Sequence, residues 1–258
     1  MSEFLLLFSS KNRQKAGISL SHDFTTRFNT PLRLPTNMKN EMAVRTISMT
    51  YSWYNIRQSY GNNQIKYSYD KGVNWETITF VDGMYSYDDI DDYIKKYMKD
   101  KGHLVSDDDG KEVYGINLYF VLSTYRVLIE LHDNFRVDLR NSDFRKLIGF
   151  DSKIIDKTEY GAYLPDITRG VDEIVVNCDR VTDSIVDGEN SNTVAVIPVE
   201  NLVRSLPFTY KPRFLAYSPV SGHLISSMRF YITDSSGLPV NLNNIDWYIE
   251  LFVRSRDL

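Results

Sequence analysis

The chain of 258 residues is 42% hydrophobic and 25% charged, a globular balance that excludes a disordered tail, a collagen-like repeat and a coiled coil. At roughly 150 residues per domain the length fits one or two domains, or one large all-β unit. Lys and Arg number 30 against 34 Asp and Glu, a net charge of −4, so no chain-wide electrostatic footprint marks a nucleic-acid or polyanion binder.

Strand-forming residues dominate, with 18 Tyr, 13 Phe and 3 Trp, as a strand-rich chain requires. The opening Met1-Ser-Glu-Phe-Leu-Leu-Leu-Phe8 is too short for a signal h-region and carries Glu3 in place of a basic n-region. It reads as a first strand, Glu3–Ser9. Phe24–Phe28, Ala43–Trp53, Gln64–Tyr69 and Val73–Phe80 follow, several with alternating apolar residues. Asp70-Lys71-Gly72 between the last two is a tight-turn sequence and predicts a hairpin.

A helix is predicted over Ser86–Lys101, because Ile90, Tyr93, Ile94, Tyr97 and Met98 draw one apolar stripe. Ser86 caps it, Asp88, Asp89, Asp91 and Asp92 sit at its positive end, and Lys95, Lys96, Lys99 and Lys101 precede Gly102. A second, short helix is predicted over Ser142–Ile148, stopped by Gly149. Strands resume at Gly115–Leu122, Tyr125–Leu131, Phe135–Leu139, Glu173–Cys178, Thr193–Val199, Arg213–Tyr217, Ser226–Thr233 and Asp246–Arg254. No repeat or linker divides the chain. Many short strands with long connections such as Asp151–Gly170 predict an all-β fold: a single β-sandwich of Greek-key or jelly-roll type over residues 1–258, with inserted helices.

No residue pattern in the sequence marks a catalytic, cofactor or metal site. His22, His103, His132 and His223 share no ligand spacing, and Cys178, the lone cysteine, admits neither an intrachain disulfide nor a multi-cysteine zinc site. It suits a reducing compartment and reads as a small buried strand residue. Val105–Gly110 lacks the first acidic position and the closing Glu of a calcium loop. The Asp pairs of the first helix are explained by its dipole. No phosphate-binding glycine loop and no nucleophile elbow occur, and no apolar run nears the roughly 20 residues of a membrane span. Lys11, Arg13 and Lys15, or Arg254 and Arg256, could touch nucleic acid weakly, although solvated loop charge is the commoner use. Tyr51, Trp53 and Tyr54 could stack sugars or bases, but such rings more often fill cores and interfaces.

Two strings carry a resemblance: Phe24-Thr-Thr-Arg-Phe28-Asn-Thr-Pro31-Leu-Arg-Leu-Pro35, and Met42-Ala43-Val44-Arg-Thr-Ile47-Ser-Met-Thr-Tyr51-Ser-Trp53-Tyr54-Asn55-Ile56. Leu147-Ile-Gly149-Phe150, Val175-Val-Asn177-Cys178-Asp179 and Leu215-Ala-Tyr217-Ser-Pro219-Val220 follow in order. In these the chain resembles the minor capsid (penton) proteins of Polinton/Maverick-type elements, adintoviruses and virophage-like DNA viruses. It departs from them at Met42-Ala43-Val44, where an acidic-hydrophobic start is usual, and at Thr50-Tyr51, where a proline precedes the serine.

The resemblance implies a single jelly-roll that assembles as a homopentamer at icosahedral five-fold vertices, against double jelly-roll major capsid proteins, in a virion built inside the host cell. It implies no enzyme activity and no cofactor. The alternatives are a trimeric spike, fibre or cement protein of the same capsid, or a carbohydrate- or receptor-binding β-sandwich. Burial of Trp53, Trp75 and Trp247 together would count against the carbohydrate reading.

Overall fold

In a computed structural model, which describes residues 2–12, 20–107, 109–169, 171–182, 184–186, 188–199 and 204–257, the chain is built mainly of antiparallel strands with two α-helices among the described residues. It groups into two compact units. Met1–Trp53 with Val171–Leu258 forms one, and Tyr54–Gly170 forms the other, inserted in sequence between the parts of the first.

Among the described residues the first unit has two main sheets and a small hairpin, Ser184–Val186 with Glu189–Ser191. One orders the strands Ser2–Ser9, Tyr248–Arg256, Lys39–Thr50 and Pro207–Tyr210, with Ser218–Pro219 also on Lys39–Thr50. The other orders Thr193–Pro198, Glu173–Cys178, Leu224–Thr233 and Asp23–Arg33. Of the eight principal strands in chain order, first pairs with eighth, second with seventh, third with sixth and fourth with fifth. Pairing of eighth with third and seventh with fourth completes the sheets. This nested hairpin, wrapped on itself, is the jelly-roll order.

Alternation sets which face is buried. Ile249, Leu251 and Val253 point inward along Tyr248–Arg256. On its partner the inward residues run Met42, Val44, Ile47 and Met49, a period broken by one residue at Arg45, where Thr46 faces Glu250 but Val44 faces Leu251. That bulge keeps both halves of the strand in register with the core. Arg45 is left outside, 3.5 Å from Glu250 and 5.4 Å above the Phe252 ring. Between the sheets Phe8 meets Phe230 at 4.9 Å, and Phe24 meets Phe230 at 5.6 Å and Trp247 at 5.4 Å. The buried Trp247 indole donates to the Ser21 carbonyl at 2.7 Å. Its burial therefore leaves no orphaned donor and contributes roughly 1.5–3 kcal/mol, as for other large apolar side chains. Pro31 lies within Asp23–Arg33, on a sheet edge, where a missing N–H is tolerated.

The inserted unit has a sheet of Ile154–Ile155, Arg136–Asp138, Gln64–Ser68 and Glu76–Thr79, and another of Glu159–Tyr160, Arg126–Leu131 and Ile116–Val121. Its helix, Tyr87–Lys101, closes with a Ser86–Asp89 capping box and with Gly102 at φ 71°. Ile90, Ile94 and Met98 pack into a core with Tyr67, Phe80, Phe135, Phe144 and Phe150. Asp91 lies on the same buried side. Its Oδ1 accepts from the Leu118 N–H at 2.8 Å and its Oδ2 meets Lys95 Nζ at 2.5 Å, so it ties the helix to the edge strand Ile116–Val121. This is more than the dipole partnership read from sequence.

Several boundaries differ from expectation. The second helix is one turn, Phe144–Leu147. Val73–Phe80 shortens to Glu76–Thr79, because the Asp70 carboxylate extends the turn by accepting from Asn74 N at 2.8 Å. Arg213–Tyr217 is not a strand: pairing occurs on either side of it, at Pro207–Tyr210 and Ser218–Pro219, while Phe214 stands exposed.

Candidate functional site

The residues singled out from sequence do not converge. His22 is buried, His103 Nδ1 lies 2.8 Å from the Tyr67 hydroxyl, His223 contacts Asn40, and His132 is exposed. Among the described residues no group of His, Cys, Asp and Glu is placed to hold a metal ion, and no helix is long and apolar enough to cross a membrane. Cys178 is buried, and that burial pushes its thiol pKa up to about 12. Lys11 is exposed in a 3-10 turn over Ser10–Asn12, held where Ser10 Oγ donates to Asp246 at 2.8 Å and accepts from Trp247 N at 3.0 Å. Arg13 and Lys15 lie outside the described residues.

Arg254 and Arg256 are not solvated loop charges. Cross-strand register sets Glu3, Arg254 and Glu41 side by side on the outer face of the first sheet. The buried Glu41 carboxylate accepts from Arg254 Nε and Nη2 at 3.0 and 2.9 Å and from Arg256 at 2.9 Å, with Lys39 Nζ at 3.2 Å. Tyr217 covers the group: its ring lies 3.4 Å from the Arg254 guanidinium and its hydroxyl donates to Glu3 at 2.8 Å. Burial works to raise the Glu41 pKa, but the hydrogen bonds from Arg254 and Lys39 and the charge of Arg256 outweigh it and hold the carboxyl below its ordinary range. Along the same face Leu5 and Leu7 are 44% and 62% exposed, with Leu5 in register with Phe252. Leucines at that exposure on an edge strand, with exposed Phe214 and Leu215, suit contact with other protein more than solvent.

The string Tyr51–Ile56, which carries much of the resemblance, is structural. Tyr51 and Trp53 stack with centroids 4.0 Å apart, closing the part of the first unit that precedes the insertion. Asn55, fully buried, donates through Nδ2 to the Tyr85 and Ile167 carbonyls at 2.8 and 2.9 Å and accepts from Tyr85 N at 2.8 Å. Ile56 forms an isolated bridge with Gly83. Trp53 and Trp247 are buried. Trp75, 36% exposed, donates its indole N–H to the Gly72 carbonyl at 3.0 Å, so the joint burial of all three tryptophans, which would count against a carbohydrate-binding face, is not met.

The nested strand order, with a compact unit inserted between the third and fourth strands, defines a β-sandwich of the jelly-roll class, a class that includes viral capsid and lectin domains. Among solved structures the chain is similar to the mavirus penton protein, at 10% identity and a TM-score of 0.54, over 99% of this chain and 100% of that one. At that identity the likeness is one of fold, and it agrees with the resemblance read from the sequence strings. The complex of the two major capsid proteins of bacteriophage P23-77 matches at 8% identity over 99% of this chain and 100% of that one, but its TM-score of 0.18 bears no weight. No family model and no curated protein matches the chain.

Proposed function

We propose that the chain is a structural virion protein, a penton or minor capsid component without catalytic activity. In this reading residues 1–258 form one jelly-roll domain that carries the Tyr54–Gly170 unit as an insertion. Five copies close a ring at the capsid's five-fold vertices and meet the major capsid protein, after assembly in the host cell. The observation that carries the reading is the end-to-end match in fold to the mavirus penton protein. The exposed leucines of the Ser2–Ser9 edge strand and the exposed Phe214 segment also support it, because a five-fold ring is closed by a head-to-tail contact between two different, mutually complementary surfaces of each copy. Lys11, with Arg13 and Lys15, offers a weak, salt-sensitive contact to the genome.

Native mass spectrometry of the purified chain tests the assembly. A species of five chain masses is expected, and one of three would favour the trimeric spike or cement protein instead.

A further inference from the structure

Three turns of the inserted unit converge on a polar cleft of about 380 Å³. They are the Asp70–Gly72 hairpin turn, the turn from His132 to Phe135, and the segment Asp156–Thr158. Hydrogen bonds lock them together: Lys71 N donates to Asn134 O at 2.7 Å, and Leu131 N to Thr158 Oγ1 at 3.0 Å. Lys71 is held at φ 61°, a conformation a lysine adopts only when its surroundings impose it. Arg136 Nη1 donates to the carbonyls of Asp133 and Phe135 at 2.8 and 2.6 Å, which fixes the plane of the guanidinium.

Lys71, Arg136 and Lys157 line this cleft together with Asp133 and Asp156. Among the described residues none of the five forms an ion pair with another, although both signs face one space. Such a rim suits a ligand that supplies both complements, one anionic group for the surplus cation and several hydroxyls for the carboxylates. Leu131 is the one aliphatic side chain in the lining, which disfavours an apolar or aromatic ligand.

We propose that this cleft binds an acidic sugar, of sialic or uronic type. The sugar carboxylate lies on the Arg136 fork between Lys71 and Lys157, and its ring hydroxyls donate to Asp133 and Asp156. The site stands apart from the capsid reading: it requires neither the ring nor its symmetry, and the two can fail separately.

Saturation-transfer NMR on the full chain tests it, with N-acetylneuraminic acid, glucuronic acid and glucose as ligands; inorganic phosphate, which has no carbon-bound protons, is followed by 31P line broadening and by competition against the sugars. Saturable binding of at least one acidic sugar is expected, with none of glucose at the same concentration. Arg136→Ala should weaken binding at least about tenfold, the worth of a charge-assisted hydrogen bond. Lys157→Ala, at an exposed position that folding does not need, should weaken it about threefold or more. Asp156→Asn separates sugar from bare anion, because it should weaken the acidic sugar and leave phosphate unweakened. The proposal is overturned if neither acidic sugar binds, if phosphate binds as tightly as the sugars, or if both Lys157→Ala and Asp156→Asn bind as the parent does.

Discussion

Asn55→Ala is the most informative single change, because the side chain combines complete burial with full use of its amide. Truncation strands three backbone groups at once: the Tyr85 N–H, the Tyr85 carbonyl and the Ile167 carbonyl. Each buried group left without a partner costs about 1–3 kcal/mol. Water entering the space of the lost amide recovers part of that, so a net loss of about 3–5 kcal/mol is expected. For a chain of this size each kcal/mol lowers the melting midpoint by about 2–4 °C, and a drop of roughly 10 °C follows. Urea unfolding followed by tyrosine and tryptophan fluorescence measures the loss directly. Asn55→Asp distinguishes hydrogen bonding from packing: it keeps the volume and the acceptor for Tyr85 N but turns a carboxylate oxygen toward two carbonyls. It should be as unstable as the alanine variant at neutral pH and recover partly in acid, when the carboxyl can donate again. An alanine variant within about 1 kcal/mol of the parent, or an aspartate variant equal to it, would refute the account of Asn55 as an anchor.

Glu41 makes the first unit acid-sensitive. Its folded pKa lies below the ordinary 4.5, so its stabilisation is complete above that value and is lost as pH falls through the folded pKa. Glu41→Gln should cost about 2 kcal/mol at pH 7 and flatten the acid limb of a stability–pH curve. Gly149→Ala should be far worse than Gly102→Ala although their φ angles are 73° and 71°, since a Cβ at Gly149 would lie 2.3 Å from the Tyr163 carbonyl oxygen while Gly102 faces open space. Thermal melts should show about 1 kcal/mol for Gly102→Ala and at least twice that for Gly149→Ala. The Cys178 thiol should resist aromatic disulfide reagents at neutral pH in the folded protein and react at once in urea, as colorimetric thiol titration will show.

What could be read from the amino-acid order was whatever periodicity and capping encode locally. The helix stripe of Ile90, Ile94 and Met98 and the Ser86 cap stand where spacing put them, as do the Asp70–Gly72 hairpin and the Glu173–Cys178 strand. Features made by distant register could not be read that way. Glu41 and Arg254 are 213 positions apart, and only the pairing of Lys39–Thr50 with Tyr248–Arg256 reveals that the arginines serve a buried carboxylate. The aromatic-rich Arg213–Tyr217 matched a strand in composition, yet Tyr217 is used flat across Arg254 rather than in a ladder. The mixed-charge cleft gave no local signal, because its residues come from three turns and become neighbours only when the turns lock.

The nested pairing of the roll also governs when it can form. Ser2 is in register with Ser255 and Ser9 with Tyr248, so Ser2–Ser9 waits for a partner made about 240 residues later. At about 5–20 residues per second of synthesis that wait is roughly 10–50 s, whereas the contacts within Tyr54–Gly170 become available midway. Pairing at such sequence distance is slow to nucleate in its own right. Until Tyr248–Arg256 leaves the ribosome, Ser2–Ser9 has no partner strand and the first sheet lacks its centre. The face that carries Leu5 and Leu7 thus comes into existence only once Tyr248–Arg256 has been made, and a product truncated before that segment cannot present it.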